Sequence, residues 1–244
     1  MCVTRDEAAD GPLSAALRAH AFAPVACPVL VEAPPRDGQA LAQAAAQLER
    51  YDWVVCASAR AVQAVTRARG RMWPARARTA AVGAATARAI ALAGVLEPAV
   101  TAPGDGADAL AAVLRETAAW SGARVLVLTT DGGRRLLAER LREWGTRVDE
   151  VEAYRMAPRE ATAIARDWRV GAADAVVIAS PRVAATLVGA VGTEALTVLQ
   201  CVVAIGATTA AALTHHGVPS VTAPAADFAA AADTLAAARA GARR

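Results

Sequence analysis

The sequence predicts an α/β fold of two flavodoxin-like lobes with parallel sheets, related by internal duplication. Three observations predict it. The chain repeats itself: Tyr51–Val62 (YDWVVCASARAV) returns as Ala173–Ala184 (ADAVVIASPRVA), Thr79–Gly94 as Val202–Gly217, and Val100–Leu114 as Val221–Leu235. Val3–Leu17 has a fainter echo in Val127–Leu141. The separations are 122, 123 and 121 residues, for Ser58 to Ser180, Gly83 to Gly206 and Val100 to Val221. That is the period of a duplicated domain, not the roughly 20–50-residue unit of a solenoid. Short, nearly continuous apolar strands also alternate with helical patterns, as in parallel sheets covered on both faces. Finally, 244 residues at 55% hydrophobic are enough for a core in each half.

The elements follow from apolar runs and helical spacing. Cys2–Thr4 reads as a strand, Leu13–His20 as a helix, Val25–Val31 as an apolar strand running into prolines, and Ala40–Glu49 as a helix. Trp53–Cys56, a compact apolar run, is a strand, and Ala59–Arg67 the helix behind it. Ala80–Val82 and Ala84–Leu92 repeat that strand–helix unit, and Ala107–Ala118 is the next helix. Val125–Thr129, Arg134–Trp144 and Arg147–Glu152 read as strand, helix and strand. The second copy gives strands Ala175–Ile178, Cys201–Ile205 and Ser220–Thr222, with helices Val183–Val191, Thr208–His215 and Asp227–Ala240.

Composition narrows the function classes. No apolar run reaches the roughly 18 residues needed to span a bilayer, and the opening MCVTRDEAAD is too polar for a signal peptide. A cytoplasmic protein with no membrane partner is expected. Cys2, Cys27, Cys56 and Cys201 are scattered without metal-ligand spacing, so buried small hydrophobes are expected and no metal. All 26 basic residues are arginine, which removes Schiff-base chemistry and a phosphate-loop lysine. The net charge of +3 suits anions only weakly, and Arg67–Arg78 (RARGRMWPARAR) reads as a solvated loop rather than a nucleic-acid site.

In such folds ligands bind beyond the carboxyl ends of the strands. The turns there are Ala57-Ser58, Gly83-Ala84-Ala85-Thr86, Ala179-Ser180-Pro181 and Gly206-Ala207-Thr208-Thr209. Each pairs a small residue with a hydroxyl able to cap a helix. Ser58, Thr86, Ser180 and Thr209 are then either plain N-caps or parts of an anion site built from helix N-termini around a shared cleft. Thr130-Asp131-Gly132-Gly133-Arg134 is a fifth turn of this kind.

These residues resemble the uroporphyrinogen-III synthase family. The resemblance rests on Val3-Thr4-Arg5, Tyr51-Asp52-Trp53 leading to Ala57-Ser58, the Gly-x-x-Thr turns in Val82–Thr86 and Ile205–Thr209, Val151–Arg155 with Tyr154, and Ala179-Ser180-Pro181. It covers nearly the whole chain. It implies one lobe of 1–32 plus 159–244 and another of 33–158, joined by a two-stranded linker near Pro28–Pro34 and Asp149–Pro158. The implied reaction is that of a hydro-lyase, cyclising hydroxymethylbilane to uroporphyrinogen III with inversion of ring D and loss of water, in haem, sirohaem or cobalamin biosynthesis. It implies no cofactor, a monomer, and transient contact with hydroxymethylbilane synthase.

Carried over residue by residue, the resemblance makes Tyr154 the catalytic candidate, a phenol able to donate to the departing hydroxyl, with hinge packing as the plainer reading. Substrate-binding candidates are Arg5, Ser58, Gly83, Thr86, Gly133, Arg134, Ser180, Pro181, Gly206, Thr208 and Thr209; Arg5, Arg134 and also Arg155 are either carboxylate partners or surface residues. His20, His215 and His216 fall at helix C-terminal ends, where the helix dipole favours a cation. Asp6 departs from the family, which often has proline after Thr4-Arg5. The competing class is a non-catalytic two-lobed small-anion binding or sensor protein.

Overall fold

A computed structural model describes residues 1–74, 78–95, 98–102, 107–117, 120–131 and 136–241. It is a mixed α/β fold with parallel sheets. The chain divides into two compact units, Met1–Glu32 with Ala157–Arg244, and Ala33–Met156.

The first unit carries β1 (Cys2–Val3), α1 (Pro12–Ala19), β2 (Val25–Ala26), α7 (Ala161–Gly171), β9 (Ala175–Ile178), α8 (Pro181–Val191), α9 (Glu194–Thr197), β10 (Cys201–Ala204), α10 (Ala207–His215), β11 (Val221–Thr222) and α11 (Phe228–Gly241). Its strands run in the order β11-β10-β9-β1-β2, parallel throughout. Val3, Ala175, Val177 and Val203 face Leu13 and Leu17 of α1 and Ala231, Ala232 and Leu235 of α11. Helices α7, α8 and α10 pack side by side in that order.

The second sheet runs β3-β8-β7-β4-β5-β6. Its strands are β3 (Leu30–Ala33), β4 (Trp53–Cys56), β5 (Arg78–Val82), β6 (Val100–Ala102), β7 (Arg124–Thr130) and β8 (Arg147–Pro158). Helices α2 (Gly38–Ala46), α3 (Ala59–Arg69), α4 (Gly83–Leu92), α5 (Ala107–Thr117) and α6 (Leu136–Glu143) belong to the same unit. Successive strand residues point to opposite faces, so β4 serves two cores. Val54 and Cys56, with Leu126, Leu128 and Val151, pack on α2, α3 and α4. Trp53 and Val55, with Val125 and Val127, pack on Leu110, Leu114, Leu137 and Leu141 of α5 and α6. Strands buried on both faces explain why they read as continuous apolar runs.

Three features differ from the sequence reading. The single strand expected over Val25–Val31 is two, β2 and β3, separated around Pro28, which has no N–H to donate to a ladder. Strand β6 and helices α7 and α9 lie where the sequence reading places no element. Helix α7 buries Ile164 and Trp168, an i, i+4 pair that the sequence reading passes over. Arg69, expected in a solvated loop, is the last residue of α3; its side chain is 4% exposed and bonds the Ala45 carbonyl and Glu49.

Candidate active site

The two serines of the repeat close matching turns. Ser58 follows β4, has φ −156° and ψ 153°, and its Oγ accepts the Ala61 N–H at 3.2 Å as the N-cap of α3. Ser180 follows β9, has φ −163° and ψ 158°, and accepts the Val183 N–H at 3.2 Å as the N-cap of α8. Both strands are buried throughout, and both helices are 11 residues long. Pro181 occupies the first turn of α8, where its missing N–H costs nothing.

Ser58 has a second partner. Its hydroxyl also bonds the Tyr154 phenol oxygen, at 3.2 Å. Ser58 is the donor in this bond, and Tyr154 keeps its own proton for another acceptor. Tyr154 reaches this place through a β-bulge. In the β7–β8 ladder Thr129 pairs with Glu152 but Thr130 pairs with Tyr154, so Ala153 is the inserted residue. Ordinary alternation would put Ala153 and Tyr154 on opposite faces; here both join the core cluster of Val151, Leu128 and α3. The bulge re-aims the tyrosine toward the N-terminus of α3.

The Gly-x-x-Thr turns differ from the capping expected of them. The N-cap of α4 is Val82 and that of α10 is Gly206, neither making a side-chain cap. Thr86 and Thr209 are the fourth and third residues of their helices, 3% and 2% exposed, because these positions rotate back toward the core. Thr208 is the exposed hydroxyl of its turn. Gly83 has φ +76°, a conformation open to glycine at no steric cost. A Cβ on Gly206 would meet only Ala226, at 3.9 Å, so open space lies beside it.

Of the arginines, Arg5 bonds Glu7 at 3.3 Å and lies 4.5 Å from the Phe228 ring centroid. Glu7 in turn accepts the Leu13 and Ser14 N–H groups, capping α1 where Gly11, the N-cap, has no side chain. A Cβ on Gly11 would lie 2.6 Å from the Glu7 carboxyl carbon, so this close approach requires glycine. Arg155 donates to the Pro34 carbonyl at 3.1 Å. Gly133 and Arg134 lie outside the described residues. Asp6 accepts the Glu32 N–H at 3.4 Å, a bond proline could not make.

Sequence reasoning passes over Arg36, which bonds Glu152 at 2.7 Å and Asp131 at 3.0 Å beside the end of β7. No motif marks it; three distant segments have to meet. His20 ends α1 and pairs with Asp233 at 2.8 Å, and His215 and His216 end α10. All four cysteines are free and buried, and burial pushes the Cys56 and Cys201 thiols upward. Among the described residues no group of three or more His, Cys, Asp or Glu is placed to hold a metal, and no helix is long and apolar enough to cross a membrane.

A family model described as Uroporphyrinogen-III synthase HemD matches residues 11–233. The chain belongs to the uroporphyrinogen-III synthase family. A mutant uroporphyrinogen III synthase from the extremely thermophilic bacterium Thermus thermophilus superposes with a TM-score of 0.54 at 20% identity, over 94% of each chain. Uroporphyrinogen-III synthetase from Helicobacter pylori gives 0.60 at 14% identity, over 87% of this chain and 92% of that one. At these identities the likeness is one of fold. No curated protein sequence matches significantly.

The two tyrosines of this uroporphyrinogen-III synthase family member are differently committed. Tyr51 donates to Asp149 at 2.9 Å, and burial, then that carboxylate, pushes its phenol up to about 12. The proton of Tyr51 is therefore held within the fold. The folded state retains this proton where an unfolded chain, with an ordinary phenol near 10, has lost it. Stability from this group is thus complete below pH about 10 and is lost as pH rises toward 12. A Tyr51→Phe variant is expected to show a flatter alkaline fall in unfolding free energy over that window, measured by urea denaturation; an unchanged slope would refute the assignment.

Proposed function

We propose that the chain is a uroporphyrinogen-III synthase, a cyclising hydro-lyase that converts hydroxymethylbilane to uroporphyrinogen III with inversion of ring D and loss of water. The match of the family model over residues 11–233 carries this reading. Family membership does not favour the non-catalytic anion-binding alternative.

In this mechanism Tyr154 donates its proton to the terminal hydroxyl of the substrate. The carbon–oxygen bond breaks, its electron pair leaves with oxygen as water, and the azafulvene cation is stabilised by its own pyrrole nitrogen. Closure at the substituted carbon gives a spirocyclic pyrrolenine, which fragments and recloses with the ring turned over. The final ring carbon releases a proton, restoring the phenol. The hydrogen bond from Ser58 supports this role, because it leaves the Tyr154 proton uncommitted. The acetate and propionate groups are held by the turns of Ser58, Gly83, Ser180 and Gly206, with exposed Thr208 as the hydroxyl of the last. Roles for Arg5, Thr86, Gly133, Arg134, Pro181 and Thr209 belong to the same proposal, without a contact to support them.

The finer architecture is also part of this reading: two flavodoxin-like lobes from an internal duplication, with β3 and β8 as a two-stranded linker. The matched caps at Ser58 and Ser180 support the duplication. The strands bracketing both unit boundaries, Glu32 to Ala33 and Met156 to Ala157, support the linker. A cytoplasmic monomer in transient contact with hydroxymethylbilane synthase fits an unstable substrate.

Incubating the purified chain with freshly generated hydroxymethylbilane, then oxidising and resolving the uroporphyrin isomers, is expected to give type III in excess over the type I of spontaneous closure. Type I alone at saturating protein would overturn the proposal. Favouring one closure tenfold takes only about 1.4 kcal/mol, within reach of one or two oriented hydrogen bonds.

A further inference from the structure

Thr130 ends β7 with a side-chain oxygen that is buried and has no hydrogen-bond partner. Two other hydroxyls among the described residues share that condition, Thr79 and Thr146. They lie at the N-terminal ends of β5 and β8, the edge of the sheet away from Ser58. Thr130 lies at the C-terminal edge, where it is the ladder partner of Tyr154 across the bulge. Alternation along β7 sets its face: Leu126 and Leu128 belong to the core beneath α3, and Thr130 continues that series. Ladder partners in a parallel pair share a face, so Thr130 and Tyr154 are on the same side. The adjacent strands β4, β7 and β8 thus each bring one hydroxyl to this edge, Ser58, Thr130 and Tyr154.

A buried hydroxyl without a partner carries a desolvation penalty, which a bound group accepting its O–H offsets. Ser58 and Tyr154 already satisfy each other. We propose that the Thr130 hydroxyl is a further substrate-contacting group of the Tyr154 site, donating a hydrogen bond to the neutral hydroxyl that departs as water; this rests on the function proposed above. The face sets the chemical class. Asp131 follows Thr130 and Glu152 is the ladder partner of Thr129, so both alternate away from that face, and Arg36 binds the two carboxylates. The groups beside Thr130 are the Tyr154 and Ser58 hydroxyls, which suit a neutral hydroxyl. As the carbon–oxygen bond breaks and Tyr154 delivers its proton, the Thr130 O–H stabilises charge developing on the same oxygen. Thr130 itself forms and breaks no covalent bond.

The test is Thr130→Val, which keeps the β-branched shape and removes the hydroxyl, beside Thr130→Ser, which restores it. Wild type and both variants are assayed with hydroxymethylbilane for type III product and followed by thermal unfolding. Thr130→Val is expected to unfold at the same or a higher temperature, because it loses an unsatisfied buried group. Its kcat should fall about 3- to 10-fold with KM within twofold, the signature of a contact made mainly in the transition state. Thr130→Ser should return kcat to within twofold of wild type. A Thr130→Val enzyme with wild-type kcat, one whose KM alone rises, or one whose activity falls only with its folded fraction would each overturn the inference. A wild-type protein that makes no type III isomer would instead remove the proposed function itself.

Discussion

Tyr154→Phe is expected to lower kcat by roughly 10²-fold, the low end of what a positioned proton donor contributes. The azafulvene cation is stabilised by its own nitrogen, so the hydroxyl departs readily and the acid is asked for less. The substitution keeps the ring in its cluster with Val151, Ala153 and Leu128 and removes only the oxygen that Ser58 bonds. Thermal stability should change by no more than a typical hydrogen bond, about 1 kcal/mol. Substrate should still bind, since the proposed carboxylate sites are the helix-start turns and not the Tyr154 phenol. Steady-state kinetics on the purified variant decides the matter: kcat within twofold of wild type would leave Tyr154 a packing residue.

The largest effect on stability is expected at Trp120. Its ring is 5% exposed, with centroids 5.0 Å from Trp53 and 5.9 Å from Trp144, and its Nε1–H bonds the Leu114 carbonyl at 2.8 Å. Trp120→Ala opens a cavity between the sheet and α5 and removes the partner of that carbonyl. A loss of about 3–5 kcal/mol follows, a large part of the roughly 5–15 kcal/mol that holds a typical domain. The midpoint and slope of a urea denaturation followed by far-UV circular dichroism measure it. A loss under about 1 kcal/mol would mean that neighbouring side chains collapse into the space.

What is legible in the sequence depends on how local each signal is. Trp53–Cys56 and Ala175–Ile178 are strands to the residue, because four buried apolar side chains are bounded by Asp52 and Ala57 in one and Asp174 and Ala179 in the other. Strand β6 is legible in principle: Val100-Thr101 has the same residues as Val221-Thr222, which reads as a strand. Tyr154 can be singled out as a residue, but not aimed. One inserted residue, Ala153, reverses its face, and no composition rule marks the insertion. Thr86 and Thr209 read as caps and are not, because a cap is defined by where a helix starts, and a shift of three or four residues turns a hydroxyl from solvent to core. The unmet hydrogen bond of Thr130 is a property of packing alone.

The placement of β1 has a consequence for the order in which the molecule is built. Cys2 pairs on one side with Val25 and on the other with Val176, 174 residues later. All strands of the Ala33–Met156 unit leave the ribosome before β9 does, so that unit can close while β1 still lacks its second neighbour. At about 5–20 residues per second the wait is on the order of 10–30 s. During that time β1 has β2 along one edge and α1 against one face, and its other edge is open. A ribosome stalled before residue 175 therefore carries a first-unit sheet that cannot yet form.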